Sequence, residues 1–233
     1  MPKTWLGGVC LTLGFAATAP AQARPDTTRY IESVRATVTT RSGGSVRERR
    51  LFRDALYRFT THGDTTKVFA DSILLAEIED AVRHDVDVDA VIGARWLMLG
   101  RRVVERPFVP QEIVEVSDLA VAMDDFLPPV PPALAVNRGV VGRGAEWRRL
   151  ADSGTVARFR WTIDATRDST YLVADSVPLR ASEDRTESGT GTWSTNGRPI
   201  SWHREITSQV TSTVRGRIVH AQVTQVITVH REP

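Results

Sequence analysis

One stretch of this chain occurs twice, and the second copy restricts what the first can be. Ala157-Arg158-Phe159-Arg160-Trp161-Thr162 echoes Ala55-Leu56-Tyr57-Arg58-Phe59-Thr60. Asp168-Ser169-Thr170-Tyr171-Leu172-Val173-Ala174-Asp175-Ser176-Val177-Pro178-Leu179 echoes the segment from Asp64 to Leu75. Identities number 3 of 6 and 6 of 12, so 9 of 18 columns agree. Self-similarity of this kind reports a structural unit used more than once. Taken alone, Val68 to Val82 could form a helix capped by Asp71 or Ser72, with Ile73, Leu74, Ile78, Ala81 and Val82 on its apolar face. The copy carries Pro178 where this segment has Leu74, and proline inside a helix costs about 3 kcal/mol. Both copies are therefore read as strand, at least to Leu75, with Asp80 to Asp89 unassigned.

The neighbouring segments alternate with period two. Tyr30, Val34, Ala36 and Val38 share one side of Tyr30–Thr40; Leu51, Ala55, Tyr57 and Phe59 share one side of Arg47–Thr61, across a Ser42-Gly43-Gly44-Ser45 turn. The echo continues, because Trp96, Gly100 and Arg101 recur as Trp193, Gly197 and Arg198. An Asn196-Gly197 turn would pair residues whose numbers sum to 393, setting Trp193 opposite Ile200 and Gly191 opposite Trp202, with an aromatic ring over the glycine. A turn at Arg215-Gly216 gives a sum of 431. It puts Trp202, Ile206, Val210 and Val214 on one face with Val219, Ala221, Val223, Ile227 and Val229, and leaves Thr207, Gln209, Thr211, Gln222 and Thr224 on a wet one. Between the two halves, Ser117 is expected to cap a short helix at 118–126 with Leu119, Ala122, Met123 and Phe126 on one face. Pro128-Pro129-Val130-Pro131-Pro132 then ends it as a stiff connector.

The first residues read as an export signal: Lys3 in a short n-region, an apolar run from Leu6 to Ala19, and an Ala21-Gln22-Ala23 cleavage site. Cleavage near Ala23 would release a periplasmic or secreted chain without cysteine, since Cys10 is the only one, so disulfides are not expected to brace the fold. The near balance of 30 basic and 28 acidic residues argues against global binding to a polyanion.

Several motifs could carry chemistry. Leu150-Ala151-Asp152-Ser153-Gly154-Thr155 fits the aspartic-protease pattern, but a second Asp-Ser/Thr-Gly is missing, and a turn is the simpler reading. His84-Asp85-Val86-Asp87-Val88-Asp89 alternates three carboxylates without the glycine and glutamate of a calcium loop, and reads as a solvated acidic edge. On the derived register His203 and His230 are diagonal neighbours near Glu205, matching no zinc signature. Arg47, Arg49, Arg50, Arg53 and Arg58 interleave with aromatics, yet Glu48 and Asp54 dilute them, so they are read as surface arginines on a strand pair and no nucleic-acid partner is expected. Nucleophile elbows, zincin motifs, P-loops and dinucleotide fingerprints are not found. No catalytic residue, metal site or cofactor is assigned.

The expected fold is mainly β: two antiparallel meanders arising by internal duplication and forming a curved sheet, half-barrel or sandwich, with one short helix at 118–126. The divisions are 1–23 for the signal, 24–116 for the first meander, 117–145 for the helix and connector, and 146–233 for the second. An export signal, long antiparallel strands and a short inserted helix give a layout that resembles the bacterial lipoprotein-carrier half-barrels, and also secreted β-rich bacterial proteins of unknown function. That resemblance implies an exported, non-enzymatic protein sheltering a lipid or other apolar ligand. Phe159, Trp161, Trp193, Trp202 and Ile206 are then the candidate ligand-binding residues, with ordinary core as their other role. Alternatives are an interaction module that pairs exposed edge strands with envelope proteins, and a hydrolase built on Asp152 or the His203/His230 pair. An outer-membrane barrel fits poorly, because Arg204 interrupts the apolar face and Arg231-Glu232-Pro233 lacks a terminal aromatic.

Overall fold

Long alternating segments separated by Gly-rich turns pair with their neighbours in sequence, and the structure, a computed structural model, is built almost wholly of such pairs. It describes residues 26–117, 119, 122–124, 126–173, 177–214 and 217–233. The export signal and the Arg215-Gly216 turn lie outside the described residues. The strands are β1 (Asp26–Ser42), β2 (Ser45–His62), β3 (Thr65–Glu79), β4 (Val82–Val86), β5 (Arg95–Leu99) and β6 (Arg102–Glu105), then β7 (Gly139–Gly142), β8 (Ala145–Arg149), β9 (Ala157–Val173), β10 (Val177–Trp193), β11 (Pro199–Val214) and β12 (Arg217–Arg231). One helix, α1 (Gln111–Val116), and a 3-10 turn at Asp89–Val91 complete the described elements.

All twelve strands belong to one open antiparallel sheet, in the order β6-β5-β3-β2-β1-β12-β11-β10-β9-β8-β7, with β4 also on β3. The first strand pairs with the last at its centre, from Tyr30 opposite Arg231 to Arg41 opposite His220. The chain thus runs outward from the middle to the β6 edge, crosses to the β7 edge, and returns. Laid flat, eleven strands about 4.8 Å apart would separate those edges by roughly 50 Å. The sheet is not flat. Arg101, in the β5–β6 turn, donates to the backbone of Leu127 and Pro128, beside Phe126, whose ring packs at 5.5 Å on Trp202 of β11. β11 is five strands from β5 along the sheet, so the sheet curls around the segment that crosses it.

That crossing segment lies on the inner face, which carries Tyr30, Val34, Ala55, Tyr57, Trp202 and Val229. The Arg101 guanidinium donates to the carbonyls of Leu127 and Pro128, Arg106 pairs with Asp124 at 2.7 Å, and on the other side Arg149 donates to Leu134 O at 2.8 Å. Phe126 is the plug. Its ring lies 5.3 to 5.9 Å from those of Tyr30, Tyr57, Phe59 and Trp202, mostly edge-on, as aromatic rings prefer.

The expected strands are present, including Phe69 to Leu75 within β3, and the sum of 431 holds along the whole β11–β12 pairing. Three details differ. The helix is Gln111–Val116, after Pro110, and not 118–126, where described Leu119, Ala122, Met123 and Asp124 lie in turns. Successive turns meet the three-to-four spacing of apolar residues as well as a helix does, and Leu119, Ala122, Met123 and Phe126 are all buried. Ser117 ends α1, its hydroxyl donating to Ile113 O and accepting from Leu119 N. In the β10–β11 pairing the sum of 393 holds from Leu179 opposite Val214 to Thr192 opposite Ser201; a bulge then sets Trp193 opposite Pro199 and not Ile200, because only Gly197 of the Asn196-Gly197 pair takes positive φ and the loop spans Ser194 to Arg198. The ring over Gly191 belongs to Trp193, not Trp202. The echoed segments also sit at different heights in their hairpins. Asp64 is in the β2–β3 turn, whereas Asp168 lies inside β9.

Candidate functional site: an open cleft on the inner face

Burial along the inner face falls from one end of the strands to the other. At the connector end, a second aromatic group lies beside the Phe126 cage: Trp147, Phe159, Trp161 and Trp193 pack with centroids 5.3 to 6.5 Å apart. It depends on two glycines, since a Cβ at Gly189 would sit 2.3 Å from the Trp161 ring and one at Gly191 2.7 Å from that of Trp193.

Next come two buried ion pairs, each across neighbouring strands. Arg53 on β2 binds Glu32 on β1 through Nε at 2.9 Å and Nη2 at 3.1 Å. Arg204 on β11 binds Glu187 on β10 at 2.9 and 2.6 Å, and that carboxylate also accepts from Trp161 Nε1 at 2.9 Å and from Arg185 at 3.0 Å. Burial pushes the Glu187 carboxyl up, but the hydrogen bonds and charge of Arg204, with Trp161 and Arg185, outweigh it and hold the group below its ordinary value. The bidentate geometry satisfies charges that would otherwise be prohibitive away from water. Arg53 is therefore a correction to the surface reading of its segment: it is 4% exposed. The rest of that basic run faces carboxylates, with Arg47 on Glu79, Arg49 on Glu77, Arg50 on Glu48 and Arg58 on Asp71.

Beyond the ion pairs the face turns aliphatic and opens. A cleft of about 270 Å³ lies there, just under the range usual for small-molecule sites. Val34, Ala36 and Val38 alternate along its β1 wall, with Leu51 opposite Ala36, Leu75 on β3 and Val223 opposite Val38. Arg53, Ser117 and Gln225 supply its polar atoms. α1 forms a partial roof: Ile113 is buried and anchors it, while Val114 and Val116 line the cleft. Such a site can hold an apolar chain with a few polar contacts at its rim. Past it, Val210, Val219 and Ala221 on the same face stay half-buried.

The candidate residues read from the sequence are all buried. Phe159, Trp161 and Trp193 share the second aromatic group, Trp202 belongs to the Phe126 cage, and Ile206 lies opposite Gln225, a residue of the cleft wall. None of the five lines the cleft beneath α1. The cleft residues that sequence reasoning passed over, Ala36, Val38 and Val223, had been placed on inward faces; what was lacking was a signal for where cover ends. Asp152 is exposed, one residue before the Ser153–Val156 turn, and paired with Arg149 at 2.8 Å. His203 touches Thr228 and Glu205 on the outer face. Of the alternating carboxylates only Asp85 lies in a strand, Asp87 accepting instead from the Asp89 N–H, and the described residues contain no cluster of three metal-ligating side chains.

No protein family and no curated protein sequence matches this chain. Among solved structures it is similar to lipovitellin, from a study of lipid–protein interactions, at 12% identity and a TM-score of 0.47, covering 91% of this chain and 26% of that one. The chain thus spans about a quarter of the lipovitellin chain it matches. It is also similar to the Yersinia pestis attachment invasion locus protein Ail, solved with a heparin analogue (8% identity, TM-score 0.19, 88% and 99% covered). A third is Pseudomonas aeruginosa OccK2, solved with glucuronate (8%, 0.29, 91% and 99%). None of the three assigns a role to any residue here.

Proposed function

We propose that this chain is an exported, non-enzymatic β protein that shelters an apolar ligand, such as a lipid acyl chain, in the open end of its inner face. The observation that carries the reading is the half-roofed aliphatic cleft between β1, β2, β3, β12 and α1. Its wall is continuous with half-buried aliphatic positions farther along the strands, so a chain longer than the cleft would find more apolar surface to cover. Solvent extraction of protein purified from its native host, followed by mass spectrometry, should recover lipid in stoichiometric amount. The Ala36→Trp variant, which fills the cleft, should yield little. A clean extract from the wild-type protein would remove the proposal.

A second reading, an envelope interaction module, is favoured by the sheet edges. β7 is exposed throughout, with Val141 77% accessible, and Phe108 beyond β6 is 85% accessible. Exposed edges invite strand addition by a partner.

A further inference from the structure

We infer that the outer face of β9–β12 carries a second site, a cradle for a phosphate-type oxyanion. It is independent of the cleft, since it lies on the opposite face of the sheet.

The register sets two rows of side chains side by side. Arg160 on β9, Thr190 on β10, His203 on β11 and Thr228 on β12 form one; Arg158, Thr192, Ser201 and His230 form the other. Neighbouring strands are about 4.8 Å apart, and residues two apart on a strand are separated by roughly 7 Å. Cationic side chains therefore stand along the β9 margin and imidazoles along the β11–β12 margin, with the short hydroxyls of Thr190 and Thr192 between them. The same residues enclose a groove of about 300 Å³.

Among the described residues, carboxylates neutralise some arginines of the outer face and leave these unmatched, as they leave Arg41 and Arg148. Arg35 is held by Asp54 at 2.8 Å and Arg58 by Asp71 at 3.0 Å. Arg158 and Arg160 are exposed and make no ion pair among the described residues. Arg148 on β8 stands opposite Arg160 and adds a third exposed guanidinium to that row, and two carboxylates stand nearby: Glu205, 3.4 Å from His203 Nε2, and Glu146, opposite Thr162 on β8. Thr192 and Ser201 share one hydrogen bond at 2.8 Å, which leaves one of their two protons to donate. Two guanidiniums offering paired N–H groups and a floor of hydroxyl donors match a tetrahedral oxyanion, which accepts at several oxygens at once. Phosphate, free or as a lipid headgroup, is the ligand class this chemistry recognises.

The test uses the full mature chain, with inorganic phosphate by calorimetry and co-sedimentation with phosphatidylcholine vesicles containing or lacking phosphatidylglycerol. Arg158→Gln/Arg160→Gln is compared with a charge-matched control on exposed arginines elsewhere, Arg41→Gln/Arg102→Gln. The cradle predicts binding to one of the probes that weakens by about tenfold in the first variant and by less than about twofold in the control. Binding to phosphate identifies a free oxyanion as the ligand; binding confined to phosphatidylglycerol vesicles identifies a headgroup. No binding to either probe, or equal losses in the two double variants, would overturn the inference.

Discussion

The two ends of the inner face are built on the same strands yet solve opposite problems. At the connector end β1, β2, β9, β10 and β11 contribute aromatic rings, and Phe126 closes the space among Tyr30, Tyr57, Phe59 and Trp202. At the hairpin-tip end the same strands contribute Val, Ala, Ser and Thr, and α1 with Ser117 forms the cover over the cleft there among the described residues. Buried ion pairs mark the boundary on both sides of the β1–β12 seam. A sheet that needed only a core would not leave its aliphatic end half-covered. The difference locates the packed core at one end and an open apolar cleft at the other.

The comparison breaks most sharply at the boundary. Arg204→Met should leave Glu187 buried without its main partner and cost about 3–5 kcal/mol, while Arg204→Met/Glu187→Met should recover most of that loss. Urea unfolding of the two variants checks both halves of the statement. Truncating the plug comes next: Phe126→Ala should cost about 3–5 kcal/mol. Val38→Ala, at the half-buried open end, should cost about 1 kcal/mol or less. Equal losses for these two would erase the distinction between the ends. The smallest expected effect is in acid. Because the folded-state pKa of Glu187 is held below its ordinary value of 4.5, its contribution is present above that value and is lost as pH falls through the lower, folded one. Glu187→Gln should therefore show a shallower loss of melting temperature below about pH 4.5 than the wild type does.

Strand alternation and turn chemistry made most of this architecture legible, since a one-residue slip would have put Trp202 and Val229 in water. The echo between the halves correctly decided that β3 is a strand, through Pro178, although the two segments do not share turn positions. What the sequence could not convey was long-range. The pairing of β1 with β12 joins segments nearly 200 residues apart, and no local signal announces it. Arg53 and Arg204 read as surface or as interruption because their partners, Glu32 and Glu187, lie diagonally on other strands. The aromatic residues drew attention as a ligand site because they are large and apolar, but size makes them the filling of the core. The opening lies among small aliphatics whose incomplete cover depends on where the connector crosses.

Photolabelling with a diazirine-bearing fatty acid tests most directly whether the open end is the binding end. Adducts are expected on peptides that contain Val34 to Val38, Val114 to Val116 and Val223, with Ala36→Trp suppressing them. Absence of saturable labelling, or adducts concentrated on the Trp147, Phe159 and Trp193 segments, would contradict the assignment.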